Sequence, residues 1–374
     1  MPQPLTAARL HTHARTWENP VILIGDDGRI ASIEGAASSG NTDILVPTFF
    51  DIHIHGAKNH DVMEGTSEAL AAVGSFLATR GVSHYLPTTV TAPLDTTLRA
   101  LEGIANAIEQ PHHDGATPLG IHLEGPFISH AKRGVHPPEH ILAPSVEIFD
   151  RFQQAARGHI KLITLAPESP GALDLIRHAS TQDVRVSLGH SNATAAETRT
   201  AVEAGAVSAT HTFNAMRPLD HREPGILGIV LDDDNLFAEL ICDGIHVAPE
   251  LVRLYRKAKG LDRAILVTDG MSATGMPDGT YMLGGFEVQV TDGRCMANGV
   301  LAGSVLTLDR AVANFAAFTH TELVQVVNLV TRNPARMLGL EEQLALAPGQ
   351  PASFNRYSAD GRLLGTILHG RQVL

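Results

Sequence analysis

Residues 44–56 read ILVPTFFDIHIHG, an apolar run that leads into two histidines one residue apart. The β-branched and aromatic content of this run predicts a first strand over residues 44–50. Successive side chains of a strand point to opposite faces, so His53 and His55 lie on the same face and can reach one ion. An isolated pair of this kind is more often hydrogen-bonded or solvent-facing, so a metal site requires ligands from elsewhere in the chain.

Seven further apolar runs follow the first, and helical patterns separate most of them. Leu70, Val73 and Leu77 share one face of a helix predicted over residues 67–80, and a second helix is predicted over 94–110. Eight alternations of strand and helix predict a parallel (β/α)8 TIM barrel. An open doubly wound sheet is the alternative, but the chain lacks the G-x-G-x-x-G motif of dinucleotide-binding sheets. The later strands are predicted at residues 82–86, 118–123, 160–165, 184–188, 206–210, 236–241 and 264–268.

The two ends of the chain resemble each other and differ from the middle. Both contain β-prone runs separated by Asp-Gly pairs, at Asp27-Gly28 and at Asp360-Gly361, which is typical of hairpins. We therefore expect a small β-sandwich domain built from residues 1–46 and 342–374, beside a barrel of residues 47–341. A Gly-rich stretch at 275–300 predicts a hairpin insertion after the eighth strand, and helices are expected over 304–318 and 321–339.

Ionisable side chains follow five of the other predicted strands at their carboxyl ends. The active sites of TIM barrels lie at that end, so these side chains and the His53–His55 pair should meet at one rim. Imidazole and carboxylate ligands favour zinc, iron or manganese over calcium. Glu124 is the rim carboxylate placed to bridge two ions. The five residues are Glu124, His190, His211, His246 and Asp269.

Composition excludes several classes of function. The 28 basic and 40 acidic residues leave a net charge of -12, which argues against a nucleic-acid partner. The chain contains no run of about eighteen apolar residues, the length that would predict a membrane span. Its N-terminus also lacks an apolar signal core, so we expect a cytoplasmic protein. Cys242 and Cys295 can form one disulfide on paper, but two buried free thiols are the favoured reading in a reducing compartment.

Several longer motifs occur in a fixed order along the chain, among them DIHIHG, HLEGPFIS, GHSNAT, THTFNAMRPLDHREPG, DGIHVAPE and VTDGMSATGMPDG. From about residue 20 to 374 the chain resembles the N-acetylglucosamine-6-phosphate deacetylases, a family of the amidohydrolase superfamily. The resemblance implies hydrolysis of the N-acetyl amide of N-acetyl-D-glucosamine 6-phosphate to D-glucosamine 6-phosphate and acetate, in amino-sugar catabolism. It also implies one or two divalent ions per subunit, with zinc expected and iron or manganese as alternatives.

The resemblance further implies roles for single residues. Glu124, His190 and His211 match the principal metal ligands, while His53 and His55 match a second metal site. A metal-activated water is the expected nucleophile, Asp269 matches the catalytic acid and base, and His246 is the expected donor to the oxyanion. Arg222 is expected to bind phosphate, in the same chain or across a homodimer interface. The substrate contacts implied are Val135, His136, Asn214, Ala215, Arg222, His246, Leu301, Ala302 and Gly303.

Three rival functions stay open at this point. The first is the same reaction on N-acetylgalactosamine 6-phosphate, because one hydroxyl orientation cannot be read from sequence. The second is a cyclic-amide hydrolase, which a modified lysine at the end of strand four would favour, but Lys161 lies at the beginning of that strand. The third is a non-catalytic barrel that binds sugar phosphates. No role is assigned to His11, His13, His112, His113, His159, His178, His320 and His369.

Overall fold

Eight parallel strands, labelled β1 to β8 in chain order, form the centre of the computed structural model, which describes residues 3–38, 40–110 and 114–373. Each strand pairs in parallel with the next, and a parallel bridge between Ile54 and Gly270 closes the ring between β8 and β1. The predicted (β/α)8 barrel is therefore confirmed. The strands are Phe49–Ile54, Val82–Thr89, Ile121–Glu124, Ile160–Leu165, Arg185–Leu188, Ala206–Ala209, Phe237–Ile241 and Ala264–Val267.

Helices surround the barrel, and polar side chains cap the N-termini of several of them. Thr66 caps the helix over Ser67–Ala78, and Thr194 forms a capping box with Glu197 at the helix over Ala195–Ala204. The predicted helix over 321–339 is divided by a 3-10 turn at Asn328–Val330. The remaining helices are Leu94–Glu109, Val146–Ala155, Ala172–Thr181, Gly225–Asp232, Pro249–Lys259, Leu308–Thr319, Leu323–Val327 and Arg332–Leu338.

The first predicted strand is two strands, which corrects the sequence-based expectation. Ile44–Pro47 pairs with the terminal strands Phe354–Tyr357 and Arg9–His11, whereas Phe49–Ile54 is β1 of the barrel. The chain passes from one sheet to the other at Thr48. Both segments are apolar because both are largely buried, so hydrophobicity alone did not show where the chain changes sheet.

Segments from both ends of the chain pack together beside the barrel. A six-stranded sheet contains strands from both termini, and a three-stranded sheet covers its core, which includes Leu10, Ile22, Leu45 and Phe354. We propose that residues 1–46 and 342–374 act as one domain and residues 47–341 as another. Besides the three strands named above, these sheets contain Gln3–Thr6, Thr16–Glu18, Pro20–Ile24, Ile30–Gly35, Leu363–Leu368 and Arg371–Gln372.

An antiparallel sheet follows β8 where the hairpin insertion was predicted. Its strands are Gly279–Leu283, Phe286–Thr291, Arg294–Ala297 and Val300–Leu301. Met271, Val288 and Cys295 belong to a separate apolar cluster beneath it. This insertion therefore places a small packed sheet over the carboxyl-terminal rim of the barrel.

Shorter elements complete the described chain. They are the strands Gly56–Ala57, His60–Asp61 and Thr117–Pro118 and the 3-10 turns Val62–Glu64, His130–Lys132 and Pro138–His140. Within the described ranges, no helix has the length and apolar character needed to cross a bilayer. His112 and His113 lie outside the described residues.

Candidate metal centre and active site

Six ionisable side chains from five strands and their following loops meet at one end of the barrel. They form two groups, within each of which the potential ligand atoms lie within 4.8 Å of one another. All six residues are buried. One group contains His53, His55 and Asp269, and the other contains Glu124, His190 and His211. The structure thus brings together all five residues predicted as metal ligands and the predicted acid/base.

The backbone bends sharply where three of these side chains follow their strands. His190, His211 and Asp269 have φ values of 46°, 29° and 51°. Non-glycine residues seldom occupy this left-handed region, and such residues often cluster at functional sites. His53 differs, because it lies inside β1 and takes its direction from the regular strand. The potential metal ligands at the rim are therefore positioned in two ways: His53 by a regular strand, and the other three by strained turns that follow their strands.

Hydrogen bonds donated by Nδ1–H determine how three of the histidines face the centre. In each case the partner is a carbonyl or carboxylate oxygen, which only accepts, so Nδ1 carries the proton. In the neutral ring Nε2 then keeps its lone pair, which is the form that binds a metal. The three bonds are His53 to Glu239 Oε2 at 3.0 Å, His55 to the Thr88 carbonyl at 2.9 Å and His190 to the Lys132 carbonyl at 2.9 Å.

The carboxylate of Glu124 stands between the two groups. Its Oε2 lies 3.3 Å from His55 Nε2 and 3.5 Å from His53 Nε2. Its Oε1 lies 3.1 Å from His211 Nε2 and 3.4 Å from His190 Nε2. Each oxygen therefore faces one group, which is the placement expected of a bridging ligand.

The centre is rich in acceptor atoms and fits a divalent cation. His53 Nε2 is buried and has no hydrogen-bond partner among the described residues. His190 Nε2 and His211 Nε2 lie only 3.0 Å apart. Lone pairs and carboxylate charges that converge in a buried space are stabilised by a cation. Three to four imidazole and carboxylate ligands match zinc, iron or manganese.

Charge interactions keep both carboxylates of the centre ionised. Burial alone would raise the pKa of Asp269, but when the rings are also protonated on Nε2, the hydrogen bond from His55 and the charge of His53 lower that pKa to about 2. A bound cation would supply the same positive charge beside neutral rings. Burial likewise opposes ionisation of Glu124, yet His53, His190 and His211 hold its pKa well below the usual range. Asp269 is therefore an anion at neutral pH and able to accept a proton.

Asp269 also has the geometry of an acid/base group. Its Oδ1 lies 3.1 Å from His55 Nε2 and 3.6 Å from His53 Nε2. The residue is 8% exposed, and it lines the cavity at the rim. A carboxylate that borders both the ligands and an open cavity can exchange a proton with a molecule bound there.

A cavity of about 550 Å³ lies over the two ligand groups. Its lining includes most of the predicted substrate contacts, namely Val135, His136, Asn214, Ala215, His246, Leu301 and Gly303. Two predicted contacts lie elsewhere. Ala302 is buried in the apolar cluster of the insertion, because the side chains of consecutive residues point in different directions. Arg222 is exposed on a loop and does not line the cavity of its own chain.

His136 is oriented as a donor and not as a ligand. Its Nδ1 accepts a hydrogen bond from the Thr91 backbone N–H at 3.3 Å and lies 2.8 Å from Thr91 Oγ1. Nε2 therefore carries the proton of the neutral ring. Burial and the charge of His190 lower the pKa of His136 to about 3, so the ring stays neutral. This tautomer is the reverse of that found in His53, His55 and His190.

His246 is held by a carboxylate that the sequence did not single out. Its Nδ1 lies 2.6 Å from Asp243 Oδ2, and its backbone N–H donates to Asp243 Oδ1 at 2.8 Å. This pair fixes the ring at the cavity wall and leaves Nε2 as the nitrogen for a bound molecule.

Sequence reasoning missed several residues that the structure places at or behind the site. Lys132 and Arg294 line the cavity, and Glu239 is fully buried behind His53. Glu239 had a readable signal, since it is a carboxylate inside the apolar strand LFAELI. Arg294 had none, because an arginine in a hairpin is usually solvent-exposed.

Comparisons with known proteins agree with this geometry. Residues 44–373 match the family described as the amidohydrolase family. The chain is 40% identical to the N-acetylgalactosamine-6-phosphate deacetylase of Escherichia coli O157:H7, over 94% of each chain. It is also 40% identical to the N-acetylglucosamine-6-phosphate deacetylase of Lysinibacillus sphaericus, over 87% of this chain and 86% of the relative.

A solved structure shows the same relationship. A mutant N-acetyl-D-glucosamine-6-phosphate deacetylase from Mycobacterium smegmatis, in complex with N-acetyl-D-glucosamine 6-phosphate, matches with a TM-score of 0.93. The two chains are 31% identical, and the match covers 100% of this chain and 99% of the other. The chain therefore belongs to the amidohydrolase family and groups with its amino-sugar phosphate deacetylases.

Proposed function

We propose that this protein hydrolyses the N-acetyl amide of N-acetyl-D-glucosamine 6-phosphate, releasing D-glucosamine 6-phosphate and acetate. The observation that carries the proposal is that Asp269 and members of both ligand groups open onto one cavity. Relatives named for this reaction in Lysinibacillus sphaericus and Bacillus subtilis, 40% and 38% identical, support it. Zinc is the proposed ion, with iron or manganese as alternatives.

An amide is a poor electrophile, so the reaction needs help at three points. A divalent ion, when bound, supplies Lewis acidity that activates water and polarises the acetyl carbonyl. The carboxylate of Asp269 accepts the proton of the attacking water and returns it to the departing amine. His246 can donate to the oxygen that becomes negative when Nε2 carries a proton in addition to the Nδ1 proton that Asp243 accepts. His136 Nε2–H donates to the sugar.

The phosphate of the substrate needs cations in a protein whose net charge is -12. Lys132 and Arg294 are the lysine and arginine that line the cavity in the described chain. We propose that Arg222 adds a contact from the partner subunit of a homodimer. Its exposure and that of the neighbouring Leu219, which is 54% exposed, support an interface at this loop. The backbone around Asn214 and Ala215 completes the proposed phosphate site.

A second candidate substrate is N-acetylgalactosamine 6-phosphate. The relative named for that activity in Escherichia coli O157:H7 is 40% identical over 94% of both chains, so identity does not separate the two sugars. The chemistry at the amide is the same in both cases. The difference lies in one hydroxyl, which the walls of the cavity would have to distinguish.

We also propose that the protein works in the cytoplasm. Cys242 and Cys295 are both buried and free, which supports a reducing compartment.

Acetate release by the purified, zinc-loaded protein tests the proposal. N-acetylglucosamine 6-phosphate, its galactosamine epimer and unphosphorylated N-acetylglucosamine should be compared at equal concentration. The proposal predicts turnover of the first substrate with a kcat/KM at least tenfold above the other two. Faster turnover of the epimer would move the assignment to the second candidate. No release from either phosphorylated sugar would contradict both.

A further inference from the structure

Glu239 lies inside β7, behind the two ligand groups and away from the cavity. Its side chain is fully buried, and all five residues of the strand are buried. It does not line the cavity. A substrate in that cavity therefore cannot touch this carboxylate, and any role in the reaction has to pass through another residue.

One oxygen of Glu239 contacts both ligand groups. Oε2 accepts a hydrogen bond from His53 Nδ1–H at 3.0 Å and another from the His211 backbone N–H at 3.2 Å. His53 belongs to one ligand group and His211 to the other. A single buried atom thus sets the ring of a ligand in the first group and the backbone of a ligand in the second.

The charge of Glu239 is not balanced by a basic side chain. In the described part of the chain its ion-pair partner is His53, and no lysine or arginine pairs with it. Its second oxygen, Oε1, is buried without a hydrogen-bond partner among the same residues. A buried carboxylate is costly unless a positive charge lies nearby, and the ligand centre beyond His53 is where divalent ions would supply that charge.

We propose that Glu239 is the positioning residue that makes the two ligand groups a two-ion site. By accepting from Nδ1 it fixes His53 with Nε2 toward the first group, and by holding the His211 backbone it sets the distance between the groups. The inference rests on the proposed metal-dependent function. It goes beyond that function by naming Glu239 as the residue that the ion at His53 and His55 requires.

Zinc titration of the chelator-treated protein by calorimetry, with the bound zinc counted by elemental analysis, tests the proposal. The wild-type chain should bind two zinc ions. Glu239→Gln keeps the size of the side chain and removes its charge. It should retain one ion and bind the second about 10- to 100-fold more weakly, as expected for the loss of a carboxylate behind a ligating histidine.

Glu168→Gln is the matched control. Glu168 accepts from Ser191 Oγ at 2.7 Å and from the Asn192 N–H at 2.6 Å, directly after His190. Within the described chain it forms no hydrogen bond with the ring of a metal-ligand histidine. The same chemical change at this position should leave both ions bound with wild-type affinity. Wild-type affinity for two ions in Glu239→Gln, or a single ion in the wild-type protein, would overturn the proposal.

A measurement on the unmodified protein covers the case in which Glu239→Gln does not fold. Nitrogen-15 NMR of the zinc-loaded wild-type protein, with His53→Asn for assignment, reports the tautomer of His53. The proposal requires a proton on Nδ1 and none on Nε2, and the reverse tautomer would overturn it. Because ion counts and tautomers are read without substrate, a protein that passes these tests but releases no acetate would contradict the proposed function alone.

Discussion

At the scale of single residues, the direction of each histidine at the rim follows from the partner of its second nitrogen. His55 and His190 donate from Nδ1 to backbone carbonyls, which leaves Nε2 for a metal. His122 lies nearby on β3, but its Nδ1 faces the Ile52 carbonyl and its Nε2 faces Thr164 Oγ1. With both nitrogens engaged inside the barrel, His122 has a structural role. Residue type alone did not separate these cases.

Asp269 gives the sharpest prediction at this scale. Asp269→Asn removes the proposed proton acceptor while nearly preserving the size of the side chain. We expect kcat for N-acetylglucosamine 6-phosphate to fall about 10³-fold, with a much smaller change in KM. Steady-state kinetics measures both constants. Zinc bound by Glu124, His190 and His211 should remain, so elemental analysis serves as the control. A variant with near wild-type kcat would show that another residue moves the proton.

His84 predicts how stability depends on pH. It lies on β2 toward the end opposite the rim, and burial with the nearby charge of His369 lowers its pKa to about 4. In the unfolded chain the pKa is near 6.5, so as pH falls below 6.5 the unfolded state takes up the proton first. Stability from this group is complete above pH 6.5 and is lost as pH falls toward 4.

Urea unfolding at several pH values tests the role of His84. From pH 7.5 to 4.5 the free energy of unfolding of the wild-type protein should fall by about 2 kcal/mol more than that of His84→Gln. Because every other buried histidine is unchanged in the variant, the difference between the two proteins reports His84 alone. Equal losses in the two proteins would show that His84 does not contribute to acid sensitivity.

At the scale of elements, the barrel could be predicted because apolar residues repeat with different periods in its strands and in its helices. Seven of the eight strands lie within a few residues of their predicted positions, and the insertion follows β8 as expected. The first strand could not be divided from sequence, because Ile44–Pro47 and Phe49–Ile54 are both apolar and contiguous. Which sheet a strand joins depends on partners more than 300 residues away, such as Phe354–Tyr357.

The capping box before the helix over Ala195–Ala204 gives a prediction at this scale. Thr194 Oγ1 accepts from the Glu197 N–H at 3.3 Å, and Glu197 Oε2 accepts from the Thr194 N–H at 2.8 Å. Thr194→Ala removes the first of these bonds and should lower the free energy of unfolding by about 1 kcal/mol. Urea unfolding measures the change. Thr200→Ala, at an exposed position of the same helix, should change it by less than about 0.5 kcal/mol. A similar loss in both variants would argue against the cap.

At the scale of the whole molecule, the cavity of one chain is lined by Asp269 and by members of both ligand groups, but not by Arg222. The order of motifs in the sequence placed Arg222 near the site, but in the folded chain its loop is exposed. The fold thus accounts for the reaction centre. We propose that Arg222 reaches the phosphate from a partner subunit.

Mixing two impaired variants tests whether Arg222 acts between subunits. The Arg222→Ala and Asp269→Asn proteins should each release acetate slowly when assayed alone. In a mixed dimer, the site with an intact Asp269 receives Arg222 from its partner and should recover. Random exchange should restore about a quarter of wild-type activity, because half of the dimers are mixed and each holds one intact site. Activity of the mixture that only averages those of the two variants would place the action of Arg222 within its own chain.

The central claim is that the six rim residues form a hydrolytic metal centre for a phosphorylated N-acetyl amino sugar. The most direct test is acetate release from N-acetylglucosamine 6-phosphate by one preparation before chelation, after chelation and after addition of zinc. We predict that chelation abolishes activity and that stoichiometric zinc, iron or manganese restores it. Undiminished acetate release by protein shown to contain no metal would contradict the account.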